Sequence, residues 1–177
     1  MPSYIRPRRP GATIYFEVCL QNRSSTLLTD AINRLRMAVG LTRKAHPFHV
    51  DAWVVLPNRM YSIWTLPPGD SDYPMRWRQI KSRFSRGLPR QTRTASQLAR
   101  DERGIWQRRY WEHHISSRQD YHTHMKTCRN APVQNGLCER DGDWPYSSFN
   151  RPAVGCVLAR TSARPRVMAL GDHPSHH

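Results

Sequence analysis

VVLPNRMYSIW, residues 54–64, joins two apolar runs through a Pro-Asn pair, and the reading of this stretch decides the fold. Pro57 arrives with its φ already restricted and Asn58 tolerates turn geometry, so the pair reads as the tight connection of a β-hairpin. Alternate residues of a strand share a face, which puts Arg59 and Tyr61 together on one side and Met60 and Trp64 on the other. Two polar groups are therefore presented side by side at the start of a strand whose opposite face is apolar.

Working outward, residues 48–56 alternate in the same way, with Phe48, Val50, Ala52, Val54 and Leu56 expected on one face. Residues 12–20 repeat the pattern with Ile14, Phe16, Val18 and Leu20, and form the first predicted strand. Between these strands, Leu28, Ile32, Leu35 and Val39 recur at helical spacings, and Gly40 reads as the C-terminal stop. Beyond the hairpin, PPGDSDYP at 67–74 is a loop whose last proline suits the first turn of a helix carrying Trp77, Ile80 and Phe84. Gly87 and Pro89 are expected to end that helix. This element order, with its tight hairpin, predicts an α+β domain in which helices cover an antiparallel sheet, not a doubly wound parallel one.

Residues 91–103, rich in Arg, Thr and Ser without apolar period, read as a mobile basic loop. A further helix is predicted from near Ser117 to just before Pro132, with Tyr121, Met125 and Cys128 as its buried stripe and Thr127 and Ala131 adjacent on another face. Trp144 and Phe149 are expected to pack back onto the domain. From residue 151 no pattern remains, so the chain divides into a domain at 1–150 and an irregular, disordered tail at 151–177.

The 177 residues suffice for one well-cored domain. The chain carries 28 Lys plus Arg against 13 Asp plus Glu, a net charge of +15, which points to a polyanionic partner. Only Lys44, Lys81 and Lys126 of the basic residues are lysines, and arginine is the side chain that grips phosphates bidentately and stacks on rings. Residues 76–118 hold twelve basic and three acidic side chains and form the region expected to face nucleic acid. Within it GIWQRRYWEHH, residues 104–114, interleaves Trp106, Tyr110 and Trp111 with Arg108 and Arg109. Such aromatics either stack bases while the arginines hold phosphates, or belong to the core behind a charged face. The residues expected on the nucleic acid are Lys81, Arg83, Arg86, Arg108 and Arg109, with Trp106 or Trp111 stacking.

Cys19, Cys128, Cys138 and Cys156 are widely spaced and read as free thiols of a reducing cytoplasm. Neither a signal peptide nor an apolar run long enough for a membrane is legible. His113-His114 and His122-x-His124 suggest a replacement metal site, but on a helix residues two apart splay by about 200° and cannot converge. They read as surface or packing histidines.

Taken in order, PGATIYFEV, HPFHVDAWVVLPN, IWTLPPGD, WRQIKSRFSRGLP, GIWQRRYWEHHI, PVQNGL and DWPYSSF make residues 1–150 resemble the REP-associated tyrosine transposases of the IS200-like, single-strand DNA transposase superfamily. The resemblance implies a ferredoxin-like transposase domain that cleaves and rejoins hairpin-bearing single-stranded DNA through a phosphotyrosine. It also implies Mg²⁺ or Mn²⁺ held by two histidines after the Pro-Asn turn and by a polar residue four positions beyond the nucleophilic tyrosine. Those histidines fall on Arg59 and Tyr61, the nucleophile on Thr127 and the third ligand on Ala131, so every one of these positions is substituted. Arg59 and Ala131 cannot ligate a metal, and an unassisted Thr127 hydroxyl is a poor nucleophile. The expectation is a DNA-binding member that is catalytically inactive and carries no cofactor. The alternatives are an active transposase using unconventional residues and a non-catalytic RNA-binding basic protein.

Overall fold

The structure, a computed structural model, describes residues 7–150. The tail expected at 151–177 lies outside the described residues. Strand β1 (Thr13–Cys19) is followed by helices α1 (Leu27–Asp30) and α2 (Ile32–Ala45), then by the hairpin of β2 (His49–Val55) and β3 (Arg59–Thr65). Next come α3 (Tyr73–Ser85), α4 (Ala95–Ala99), β4 (Trp111–His114), α5 (Arg118–Gln134) and a 3-10 turn at Asp141–Asp143. The strands form one antiparallel sheet in the order β2-β3-β1-β4, so the predicted α+β class and the hairpin are what the chain adopts.

The sheet has two differently furnished faces. Under α2 and α3, alternate residues Ile14, Phe16 and Val18 of β1 and Met60 and Trp64 of β3 are fully buried. The helices add Leu35, Val39, Trp77, Ile80 and Phe84 to the same cluster. At its centre the rings of Trp64 and Trp77 stack at 4.3 Å, with Phe16 at 4.8 Å from Trp64. Each ring removes a large apolar area from water, and the offset and tilted geometries add to that burial. Pro74 occupies the first turn of α3, where its missing N–H is no loss, and Asp72 caps the helix by accepting from the Met75 amide. Arg76 of α3 is 1 % exposed, with its guanidinium bonded to the Asp70 carboxylate and to the carbonyls of His46, Pro47 and Asp72.

The other face lies under α5. Tyr15, Ala52, Val54 and Ile63 pack there with Cys128 and Ala131, and Trp144 and Phe149 close over the cluster as expected. The segment after α5 also lies along the outer edge of β2, where the Val55 amide donates to Tyr146, the Ser148 amide to Trp53, and Val54 bridges Ser147.

Several expectations fail in detail. Residues 48–56 do not keep one face, because the register jumps between Val50 and Ala52. Asp51 is the extra residue of a β-bulge, so Phe48, Trp53 and Val55 share the α2/α3 face while Ala52, Val54 and Leu56 turn to α5. The first helical stretch breaks at Ala31, and α2 then runs through Gly40 to Ala45. An interior glycine costs only about 1 kcal/mol against alanine, too little to stop a helix whose Leu35, Ala38, Val39 and Thr42 are buried, and the His46-Pro47 pair does so instead. The supposed loop at 91–103 contains α4, begun by a reciprocal capping box between Thr94 and Gln97. Finally, α5 passes through Pro132 and continues to Gln134: proline's restricted φ is itself helical, and only one backbone bond is forfeited near the end. Among the described residues no helix is long and apolar enough to cross a membrane.

Candidate functional site

Antiparallel pairing sets the side chains of the α5 face in rows. Tyr61 stands opposite Glu17, and Glu17 opposite Trp111, so these three project together from β3, β1 and β4. One row along, Arg59 stands opposite Cys19. One row the other way, Tyr15 stands opposite His113. Sequence periodicity places Arg59 and Tyr61 on one face, and the structure agrees. It does not single out Glu17, although a lone carboxylate inside an apolar strand is an available signal.

Glu17 matters because the Arg59 guanidinium pairs with it at 3.3 Å. Burial opposes the Arg59 charge, but hydrogen bonding with Tyr61 and the charge of Glu17 outweigh it, and the cation is held more firmly than an ordinary arginine. Burial, with Glu17 beside it, pushes the Tyr61 phenol up, and the opposing pull of Arg59 does not cancel this. At neutral pH this corner holds a permanent cation and a protonated phenol. The guanidinium has no lone pair to give and a neutral phenol oxygen is only a weak ligand for Mg²⁺ or Mn²⁺, so Arg59 and Tyr61 are a poor substitute for the two histidines that the resemblance implies here.

The α5 positions complete the mismatch. Ala131 is 3 % exposed and packs in the apolar cluster that Tyr61 borders, contributing no donor atom. Thr127 is exposed, and its hydroxyl donates to the Thr123 carbonyl of its own helix at 3.1 Å. The two are four residues apart, yet they do not share a wholly separate face as expected: Ala131 belongs to the buried stripe with Cys128, and Thr127 sits at its margin.

The expected nucleic-acid residues divide. Trp106 is buried, its Nε1 donating to Ser85 Oγ at 2.9 Å, and its ring packs on Phe84, so it is a core residue and not an open platform. Lys81 lies 5.6 Å from the Trp106 ring and 5.2 Å from that of Tyr110 and donates to the Gln107 carbonyl, a position that supports the segment ahead of β4. Arg83 bonds Gln79 one turn earlier on α3. Arg86, Arg108 and Arg109 are exposed, and Trp111 is 65 % exposed.

The histidines also resolve differently from their sequence pairs. His122 is exposed, while His113 of β4 and His124 of α5 stack with ring centroids 4.6 Å apart and both meet Asp120. The Ser116 backbone amide, then His113, hold the Asp120 carboxyl down to about 2. The convergence joins one member of each pair across two elements, which spacing within either pair could not reveal.

No family model matches the chain. It is 40 % identical over 153 residues to the REP-associated tyrosine transposase of Escherichia coli K12, covering 85 % of this chain and 84 % of that protein. It is 37 % identical to a putative REP-associated tyrosine transposase of Haemophilus influenzae, over 85 % of this chain and 87 % of that one. A solved structure of a REP-associated tyrosine transposase bound to a REP hairpin superposes with a TM-score of 0.74 at 36 % identity, covering 96 % of this chain and all of that one. With sequence and architecture agreeing over most of each chain, the protein belongs to the REP-associated tyrosine transposase family.

Proposed function

We propose that this chain binds single-stranded or hairpin DNA in the cytoplasm through its domain at 1–150 and does not catalyse strand cleavage or transfer. The observation that carries the reading is the Arg59–Glu17 pair beside a protonated Tyr61, at the two positions that the resemblance assigns to metal-binding histidines. A fixed guanidinium can hold a phosphate but cannot withdraw electrons from it as a coordinated ion would, nor generate a phenolate. Binding is supported by the +15 charge, by exposed Arg86, Arg108 and Arg109, and by Trp111, which stands in the same row as Tyr61 with its ring open to solvent. A relative solved with a REP hairpin supports the hairpin as the form recognised.

Two measurements test the halves separately. Incubation with hairpin-bearing single-stranded DNA and Mg²⁺ or Mn²⁺ should give no covalent protein–DNA adduct; an adduct on Thr127 or Tyr61 overturns the inactive reading. Arg108→Glu with Arg109→Glu should weaken hairpin binding and flatten its log–log salt dependence by about one unit for each phosphate no longer gripped. Unchanged affinity and slope refute the interface, and an equal response with RNA of the same hairpin sequence favours a general RNA binder.

A further inference from the structure

We propose that His113, Asp120 and His124 form a binding site for one divalent transition ion of the zinc class, clamping β4 to α5. The site is separate from the Arg59 and Tyr61 positions and does not depend on the DNA-binding reading.

The three residues come together from two elements. Asp120 and His124 are four apart near the start of α5 and share a flank, while His113 reaches them from β4. His113 Nε2 lies 2.9 Å from Asp120 Oδ2, and His124 Nδ1 lies 3.0 Å from Asp120 Oδ1. The three prospective ligand atoms all fall within 4.8 Å of one another, and all three residues are half-buried. Two imidazole nitrogens and one carboxylate oxygen are a common three-ligand set for zinc, leaving a fourth tetrahedral position to water. Imidazole content favours zinc, cobalt, nickel or copper over the harder magnesium and calcium ions.

The surroundings suit a ligand set as well. Asp120 Oδ2 accepts from the Ser116 backbone amide at 2.9 Å, which fixes the carboxylate as an outer-shell partner would. Tyr15 packs its ring 4.6 Å from that of His124 and shields the sheet side. His124 Nδ1 also lies 3.0 Å from the Asp120 carbonyl, so an entering ion replaces that hydrogen bond together with the two imidazole–carboxylate ones. The exchange balances: each neutral imidazole moves its proton to its other ring nitrogen and keeps it, and the ion takes the vacated lone pairs. The neighbouring positions give the clamp a role. Trp111 is two residues before His113 on an edge strand, and Thr127 follows His124 by about one turn of α5, so an ion here would fix both relative to each other.

The test uses zinc itself on the full chain, with His173, His176 and His177 replaced by alanine so that the tail contributes no imidazole. Competition against a chromophoric chelator should show one zinc equivalent bound and a raised melting temperature. His113→Ala, His124→Ala and the near-isosteric Asp120→Asn should each weaken binding about tenfold or more and abolish the thermal shift, while His122→Ala leaves both intact. Far-UV circular dichroism identifies any variant that fails to fold, and Asp120→Asn alone then decides. Zinc affinity that is unchanged in the folded Asp120→Asn and His124→Ala chains, or that falls equally in His122→Ala, overturns the site and leaves a hydrogen-bonded His-Asp-His cluster.

Discussion

The two faces of the sheet have fared differently. Under α2 and α3 the inward positions are mostly apolar or aromatic, with Ser62 and Glu112 beside Phe16 as buried polar exceptions, and the buried Arg76 is paired with Asp70 and three carbonyls. Under α5 the sheet carries Arg59, Glu17, Tyr61, Cys19 and His113 at intermediate burial. Packing punishes change on the first face because a missing ring leaves a cavity. On the second, half-exposed polar groups can be exchanged while the fold survives. A half-exposed polar face of this kind can accept changes in a chain that still superposes on a relative at a TM-score of 0.74.

That contrast can be broken by measurement. The largest effect is expected for Trp77→Ala, which empties the centre of the stacked indoles and should cost about 3–5 kcal/mol by urea denaturation; a loss below about 1 kcal/mol would mean the helix-covered face is no more constrained than the other. Asp70→Asn should cost about 1–3 kcal/mol, because it leaves the buried Arg76 charge with carbonyls alone. The Arg76 hydrogen bond holds the Asp70 carboxyl below its usual range. A depressed folded value means that its stabilisation is complete above the ordinary aspartate pKa and fades as pH falls through the lower one, so Asp70→Asn and parent should converge in acid below about pH 4.

On the α5 face, Glu17→Gln should cost under about 1 kcal/mol, since the Arg59 pair is partly solvated. A cost equal to that of Asp70→Asn would erase the distinction between the two charge pairs. Smallest of all, Trp111→Ala should leave stability within about 0.5 kcal/mol while weakening hairpin binding by about 1–3 kcal/mol if its ring stacks a base. Equilibrium melting and fluorescence anisotropy on one preparation would show whether the two effects separate.

How much of the fold and the site is legible in the sequence follows from the range of each interaction. The hairpin, α3 and the inward stripe of β1 rest on local periodicity and turn chemistry, and they are readable. The α4 capping box is equally local, with Thr94 and Gln97 three apart, and escapes notice because the arginines around it dominate the composition. The bulge at Asp51 is not readable: apolar residues line both sides of it, so alternation alone fixes no phase. Trp106 and Trp111 look alike in sequence, and only the depth of each in the assembled sheet separates the core ring from the open one. Likewise Arg59 and Tyr61 follow from strand parity, whereas Glu17 needs β1 to pair with a strand distant in sequence, and the His113, Asp120, His124 group, though close in sequence, needs the turn at 115–117 to set α5 beside β4.

The strip at 146–148 that hydrogen-bonds along β2 carries a consequence for how the protein behaves in a crowded solution. β2 is flanked by β3 on one side only, and without this strip its second row of amides and carbonyls would be available to any extended chain. A proteolytic nick ahead of Tyr146 would thus do more than trim a loose segment: it would uncover a sticky, strand-accepting margin beside Trp53 and Val55. The short polypeptide around Ser147, which follows every helix and strand among the described residues, thus covers the margin of β2 that would otherwise accept another strand.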